Sequence, residues 1–142
     1  MNNNKIVSSF HFRVLFKGLK EITDIDSRFQ SVSGIQGALQ QETDKGKSLV
    51  TTVFQPVILR RGMLLPKESV LLQWILKGLN NAVLNPLPEV LIEVLDENHQ
   101  PAISIVLKSV SVRSWTMGEL NAEKSGLLME EIQLDYKAIE MR

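Results

Sequence analysis

The sequence predicts a mainly β fold: a small β-barrel of two packed antiparallel sheets with one flanking α-helix at about residues 66–80. Apolar and polar residues alternate from Phe10 to Lys17, and the same alternation returns from Glu131 to Ala138. Such period-two alternation is typical of half-buried strands. Helical periodicity occurs in one stretch between them. Short strands with one helix favour a barrel or sandwich with the helix packed alongside.

The predicted strands are separated by turns rich in glycine, proline and polar residues. Gly34 and Gly37 predict a bend within the second strand, and Pro56 predicts an edge position or a bulge within the third. The apolar phase slips after Leu107, which predicts a bulge near Lys108–Ser109. In chain order the predicted strands cover residues 10–17, 29–39, 49–59, 89–95, 102–112 and 131–138.

A length of 142 residues predicts one domain covering residues 1–142, with a polar and flexible segment at residues 1–8. Residues 40–52 are polar at their centre and predict a hairpin or loop extension that turns at Asp44-Lys45-Gly46. The charged side chains at this tip are candidate contacts with another subunit. They are Asp44, Lys45 and Lys47.

The predicted helix begins at Pro66, a residue suited to a first helical turn, and Glu68 lies near the positive end of the helix dipole. Projection at about 100° per residue places one broad apolar stripe towards the core. Val70 and Trp74 lie beside this stripe, so the apolar arc is wider than one core needs. The stripe consists of Leu71, Leu72, Ile75, Leu76 and Leu79.

Composition excludes several kinds of protein. Lys and Arg number 16, as do Asp and Glu, so no net charge attracts the chain to nucleic acid or to an anionic membrane. The sequence contains no cysteine, which excludes disulfides, thiolate metal sites and cysteine nucleophiles. No apolar run approaches the roughly 18–20 residues of a membrane span, and the N-terminus lacks a secretory pattern. We therefore expect synthesis in the cytoplasm and no insertion into a membrane.

The sequence predicts no catalytic, cofactor or metal site. Gly46-Lys47-Ser48 resembles the end of a phosphate loop, but Gln41 stands where that loop needs glycine. His11 and His99 have no second ligand at helical or hairpin spacing. Glu130 and Glu131 are adjacent on a strand, so they point to opposite faces and do not form a carboxylate pair. We expect the protein not to be an enzyme.

The pair Arg60–Arg61 is the most distinctive charged feature, and it admits two interpretations. In the first, each arginine is solvated on its own face of the strand. In the second, they pair with carboxylates of another subunit, which suits the planar guanidinium. Val70 and Trp74 are further candidate contacts, because tryptophan is common both in cores and at the centres of interfaces.

Five motifs follow one another in an order that resembles a known family, from about Phe10 to Ile139. They are Phe29-x-x-Val32-Ser33-Gly34-Ile35, Leu59-Arg60-Arg61-Gly62, the helix with Trp74, Val90-Leu-Ile-Glu-Val-Leu-Asp96, and Glu131-Ile-Gln-Leu-Asp-Tyr136-Lys-Ala-Ile139. This series resembles the phage tail tube protein family of contractile tails. That family includes the inner-tube proteins of extracellular contractile injection systems, and haemolysin-coregulated protein of type VI secretion is a more distant structural relative.

The resemblance implies a structural subunit that forms hexameric rings, stacked as a hollow tube inside a contractile sheath. Implied partners are further copies of the chain, the sheath protein, baseplate and spike proteins, and an effector protein or DNA in the lumen. The implied location is an assembled particle, extracellular or virion-like. The strand at residues 103–113 departs from the family pattern, which leaves both a main tube subunit and a tube initiator open.

An alternative from another class is a small β-barrel that binds a ligand or cofactor, or a split-barrel enzyme that dimerises around a flat cofactor. The sequence has few aromatic residues and few convergent polar groups, which disfavours a ligand-binding or enzymatic barrel. A nucleic-acid-binding barrel is disfavoured by the balanced charge and by the lack of aromatic residues interleaved with basic ones.

Overall fold

A computed structural model describes Val7 and residues 11–142 of the chain. The predicted flexible segment 1–8, apart from Val7, and the predicted strand start at Phe10 lie outside the described residues. The described part contains nine strands and one α-helix, α1 (Val70–Asn81). The strands are β1 (His11–Lys17), β2 (Ser31–Ser33), β3 (Gln36–Asp44), β4 (Lys47–Gln55), β5 (Val57–Gly62), β6 (Leu87–Leu95), β7 (Pro101–Met117), β8 (Met129–Asp135) and β9 (Ala138–Met141).

Seven strands form one antiparallel sheet in the order β1-β6-β7-β8-β5-β2, with β9 also paired to β7, while β3 and β4 pair with each other. The long strand β7 joins the two halves of the large sheet. Residues 101–110 of β7 pair with β6, and residues 111–117 pair with β8. The predicted mainly β class with two sheets and one helix is confirmed. The described residues show no pairing between β1 and β2, so the large sheet has free edges there.

The core-facing side of β7 changes at Ser109, which has a left-handed φ of 52°. Leu107 and Val110, although three residues apart, both contribute to the core. Strand β6 makes the same change between Leu87 and Val90, so the register of the two strands is unaltered. The predicted slip in apolar phase is confirmed, but the predicted bulge near Lys108–Ser109 is wrong, because the slip occurs at the left-handed Ser109 without a change of register. The register shifts of β7 lie elsewhere, against Val94–Leu95 of β6 and between Val112 and Ser114.

The predicted strand at residues 29–39 is two strands that belong to different sheets. Strand β2 pairs with β5, and the chain then turns at Gly34, whose φ is 84°. A β-carbon at Gly34 would lie 2.6 Å from the carbonyl oxygen of Pro56. Pro56 itself separates β4 from β5. Gly34 and Pro56 therefore form the base of the hairpin β3–β4, where the chain leaves the large sheet and returns to it.

The last predicted strand is also interrupted. Strand β8 ends at Asp135, and Lys137 donates its backbone N–H to the carbonyl of Lys108 before β9 begins. Strands β8 and β9 therefore follow one another along the same edge of β7. Period-two alternation continues through Tyr136, so the alternation by itself does not reveal the interruption.

Helix α1 begins four residues later than Pro66, which instead opens a short 3-10 turn, Pro66–Glu68. Ser69 is the N-cap of α1, because its side-chain oxygen accepts a hydrogen bond from the backbone N–H of Leu72. At the other end Ala82 adopts a left-handed conformation with φ 53° and donates its N–H to Gly78. None of the described helices combines the length and the apolar character needed to cross a membrane.

The core lies between α1 and the large sheet. The residues of α1 that enter it are Leu71, Trp74 and Ile75, an i, i+3, i+4 stripe. Trp74, predicted to lie beside the core, is 8% exposed, whereas Leu79, predicted in the core stripe, is exposed. Gly78 occupies the next position of the stripe, and a β-carbon there would lie 3.2 Å from the carbonyl oxygen of Val83. The chain after the helix passes close to this glycine.

Candidate functional site

Two arginines of β5 face two glutamates of β8 across the antiparallel ladder. Arg60 is opposite Glu131, and Arg61 is opposite Glu130. Because adjacent residues of a strand point to opposite faces, one pair lies outside the sheet and the other inside it. The two arginines therefore have different environments, although they are neighbours in the sequence.

The inner pair is the centre of a buried charged group, here called the Arg61 cluster: Asp26, Arg61, Ser69 and Glu130. Arg61 is 3% exposed. Its Nε donates to Oε1 of Glu130 at 2.6 Å, its Nη1 donates to Oδ1 of Asp26 at 2.9 Å, and its Nη2 donates to Oγ of Ser69 at 3.0 Å. The guanidinium also lies 5.0 Å from the ring centroid of Phe29. These partners satisfy three guanidinium nitrogens within one chain.

Asp26 connects the Arg61 cluster to the start of α1. Its Oδ1 accepts the hydroxyl of Ser69 at 2.6 Å, and its Oδ2 accepts the backbone N–H of Leu71 at 3.2 Å. A carboxylate at this end of a helix is favoured by unpaired N–H groups and by the helix dipole. The second carboxylate, Glu130, also accepts the indole N–H of Trp115 at 2.8 Å. The cluster thus joins α1 to β5, β7, β8 and the 3-10 turn at Asp24–Ser27.

The outer pair is accessible. Nε of Arg60 lies 2.8 Å from Oε1 of Glu131, and the Arg60 side chain is 56% exposed. The hydrogen bond from Arg60, followed by the one from Gln133, lowers the pKa of the Glu131 carboxyl. Exposed pairs of this kind contribute about 0–1 kcal/mol to stability. Arg60 is therefore the arginine of the doublet that another molecule can reach.

The predicted contact residues fall into two groups. Arg61 and Trp74 are buried, and the ion pairs of Arg61 join it to carboxylates of its own chain. This differs from the hypothesis that both arginines pair with another subunit. Val70 is half-buried at the start of α1. The other predicted residues lie on accessible surface: Arg60, Asp44, Lys45 and Lys47.

The hairpin β3–β4 stands away from the core. It turns at Lys45–Gly46, as the sequence predicts, and Phe54 is its one half-buried residue, the others being exposed. Directly paired residues share a face, so Ala38 and Val53 lie on one face, and Leu39 lies with Thr52 on the other. Large apolar side chains are exposed on both faces. They are Leu39, Leu49, Val50 and Val53.

An apolar pocket of about 200 Å³ lies at the end of α1. We call it the helix-end pocket, and it is lined by Trp74, Gly78, Leu79, Val83, Leu84 and Val112. Trp74 forms its inner wall and is held by a hydrogen bond of 3.0 Å from its indole N–H to the carbonyl of Asn85. Leu79, Val83 and Leu84 are exposed around it.

The two histidines meet at one end of the sheet, where the ring centroids of His11 and His99 are 5.4 Å apart. Sequence spacing did not predict this approach, since the residues belong to β1 and to the turn after β6. Within the described residues, no group of three or more His, Cys, Asp or Glu side chains is placed to hold a metal ion.

The family model described as T4-like virus tail tube protein gp19 matches residues 8–140. The chain belongs to this family. No curated protein sequence matches the chain. The match to the family model confirms the predicted resemblance to the tail tube proteins of contractile tails.

Solved structures share the fold of this tail tube family member. A chain of the anti-feeding prophage (AFP) baseplate is 23% identical with a TM-score of 0.75, and the match covers 100% of this chain and 97% of that one. A chain of the PVC sheath-tube complex in the extended state is 18% identical with a TM-score of 0.66, covering 96% and 91%. Hcp1 from Flavobacterium johnsoniae is 11% identical with a TM-score of 0.56, covering 93% and 94%.

Sequence reasoning missed three residues of the Arg61 cluster in this tail tube family member. Sequence patterns single out neither Asp26 nor Ser69, and they place Glu130 and Glu131 on opposite faces of a strand without assigning Glu130 a partner. Two signals were available in the sequence. A serine directly before an apolar periodic run predicts an N-cap, and a doublet of arginines matches a doublet of glutamates on another predicted strand.

Proposed function

We propose that this chain is a non-enzymatic structural subunit of the inner tube of a contractile injection system or phage tail. In this proposal six copies form a ring, and rings stack into a tube with a central lumen. Membership of the tail tube family supports the proposal. The observation that carries it is the hairpin β3–β4, which exposes large apolar side chains on both faces.

A two-stranded hairpin with apolar residues on both faces is unfavourable in water as an isolated element. Leu39 is 77% exposed and Val50 is 55% exposed, both on the same face, and Val53 is exposed on the other. Burial of apolar surface is the main favourable term in association. We infer that further copies of the chain cover both faces of the hairpin when the tube assembles.

The symmetry of the assembly follows from contacts between different surfaces. A hairpin that packs on a different part of the next copy makes a heterologous interface, which closes into a ring or continues as a filament. A stacked tube uses both outcomes, closure around the axis and continuation along it. We propose Arg60 and the hairpin tip with Asp44, Lys45 and Lys47 as polar contacts, and Val70 as an apolar contact. Arg61 and Trp74 are buried within the subunit, so we do not propose them as exposed contacts.

The proposed partners outside the tube are the sheath protein and the baseplate or spike proteins. Structures that share the fold come from an AFP baseplate and from a PVC sheath-tube complex, which supports this choice. The lumen carries an effector protein or DNA. The subunit is made in the cytoplasm and becomes part of an extracellular or virion-like particle. Both a main tube subunit and a tube initiator fit the proposal.

The test is the assembly of the purified full-length chain. Light scattering and negative-stain microscopy are expected to show rings near the mass of a hexamer, or tubes built from them. Long tubes identify a main tube subunit, whereas single rings that require a spike protein identify an initiator. A monomer that persists at high concentration contradicts the proposal.

A further inference from the structure

The β7–β8 loop (residues 118–128) joins the ends of its two strands and exposes two leucines, Leu120 and Leu127. Leu120 is 71% exposed. The loop is fixed at its base, because Gly118 donates its N–H to Met129 and Met63 donates its N–H to Leu128. It therefore presents an apolar side chain on an anchored segment.

The helix-end pocket is the complementary feature. Its volume of about 200 Å³ is open to an apolar side chain, and its walls are formed by Trp74, Val83, Leu84 and Val112. No described residue of the chain fills it. The hydrogen bond from Trp74 to Asn85 holds the inner wall in place, so the pocket exists before anything binds.

The loop and the pocket lie at opposite ends of α1. The base of the loop is beside Gly62 and Met63, just after the Arg61 cluster that caps the start of the helix. The pocket begins at Gly78, near the helix end. In this structure Leu120 is exposed and does not line the pocket of its own chain.

The charges beside the two features are complementary. Leu120 is flanked in the sequence by Glu119 and Glu123, both exposed. The pocket residue Gly78 adjoins Lys77, which is also exposed. Opposite charges around an apolar contact favour one orientation of the partner and disfavour others.

We propose that the helix-end pocket receives Leu120 of a second copy of this chain. The acidic residues of the arriving loop then face Lys77 of the receiving copy. Because the donor and acceptor surfaces differ, the contact is head-to-tail and repeats from copy to copy. This inference rests on the proposed function, since it names a contact of the same assembly that is separate from the hairpin.

The absence of native cysteine allows a direct test. Two single variants, Leu120→Cys and Val83→Cys, are mixed under assembly conditions and treated with a mild oxidant. A disulfide requires Cα atoms within about 7 Å, so it forms only where the two surfaces meet. The expected result is a disulfide-linked heterodimer. The matched control replaces Val83→Cys by Leu65→Cys, which places the thiol on another exposed residue and is expected to give no heterodimer.

A charge exchange provides the second measurement. Glu119→Lys and Lys77→Glu are each expected to weaken assembly, and the mixture of both variants is expected to restore it between their reversed surfaces. Rings that form without the Leu120–Val83 disulfide, or with as much disulfide at Leu65, overturn this inference and leave the proposed function intact. If the protein forms no rings and no disulfide, both this inference and the proposed function are overturned.

Discussion

Nε of Arg61 lies 2.6 Å from Oε1 of Glu130, and the protein encloses both side chains. Asp26 is a second buried carboxylate on the same guanidinium. Removal of Arg61 would leave two buried carboxylates without their cation. We expect Arg61→Ala to lower the free energy of unfolding by about 3–5 kcal/mol, the usual cost of breaking a buried ion pair from one side.

Arg60 is the matched control for this prediction. It is also an arginine of β5 paired with a glutamate of β8, but its partner is Glu131 and its ion pair lies on the exposed face. We expect Arg60→Ala to cost about 0–1 kcal/mol. Urea unfolding followed by tryptophan fluorescence measures both values. Equal losses for the two variants would falsify the assignment of Arg61 to the interior.

The arginine doublet also shows what the sequence can and cannot predict. Strand alternation predicts that Arg60 and Arg61 point to opposite faces. It does not predict which face is buried, because this depends on the register with β8 and on the turn that carries Asp26. Those are contacts between residues 35 or more positions apart in the sequence.

Helix α1 gives a second example of this limit. Its existence and its approximate length follow from apolar periodicity, whereas the buried face was misplaced by one position. Projection at about 100° per residue places Leu79 in the core stripe and Trp74 beside it. In the structure the helix ends at a left-handed Ala82, the returning chain passes Gly78, and Leu79 is exposed at the edge of the helix-end pocket. Propensity does not predict a left-handed alanine, since this conformation favours glycine.

Gly34 is predicted to fix the base of the hairpin. Both Gly34 and Gly46 have positive φ, at 84° and 79°. A β-carbon at Gly46 meets no atom within 4 Å, whereas one at Gly34 would lie 2.6 Å from the carbonyl oxygen of Pro56. Gly46→Ala is expected to cost about 1–2 kcal/mol from the left-handed conformation alone. Gly34→Ala is expected to cost more, since the backbone must also move.

Thermal and urea unfolding of the two glycine variants compare these costs directly. Since Gly34 connects the large sheet to the hairpin, Gly34→Ala is also expected to impair ring formation more than Gly46→Ala does. If Gly46→Ala is the more damaging of the two, the close approach at Pro56 is not what requires glycine at residue 34.

Tyr136 is expected to make the protein sensitive to alkaline pH. Burial raises the pKa of its phenol above the ordinary value of 10.0. The unfolded chain ionises near that value while the folded chain keeps the proton. The resulting stability is fully present below pH 10 and is lost as the pH rises towards the folded pKa. The nearby backbone of Gln36 opposes part of this rise in pKa, but no hydrogen bond of good geometry reaches the buried hydroxyl from the described residues.

Tyr136→Phe tests this expectation. The variant removes a buried, unpaired hydroxyl, so at pH 7 we expect stability equal to that of the wild type or greater by about 1 kcal/mol. Above pH 10 the advantage of the variant is expected to grow. Tyr136 is the one tyrosine of the sequence, so the ultraviolet absorption of tyrosinate reports its pKa in the folded protein directly. Titration at the ordinary value contradicts the prediction.

Substitutions in the hairpin β3–β4 are expected to affect assembly without affecting the folding of the subunit. Leu39 and Val50 lie on one face of it and are exposed, so neither contributes to the core. We expect Leu39→Asp combined with Val50→Asp to change the free energy of unfolding by less than about 1 kcal/mol, because exposed substitutions have small effects. Ring formation is expected to be lost, since the variant places two charges in a surface that the next copy must cover.

Leu65→Asp is the control, because Leu65 is similarly exposed but lies before α1 and away from the hairpin. It is expected to assemble as the wild type does. Sedimentation and negative-stain microscopy measure assembly, and circular dichroism with urea unfolding shows that each variant is folded. A folded hairpin variant that still forms rings excludes this face of the hairpin from the ring contacts. A loss of assembly in both variants instead indicates that added charge, rather than its position, prevents association.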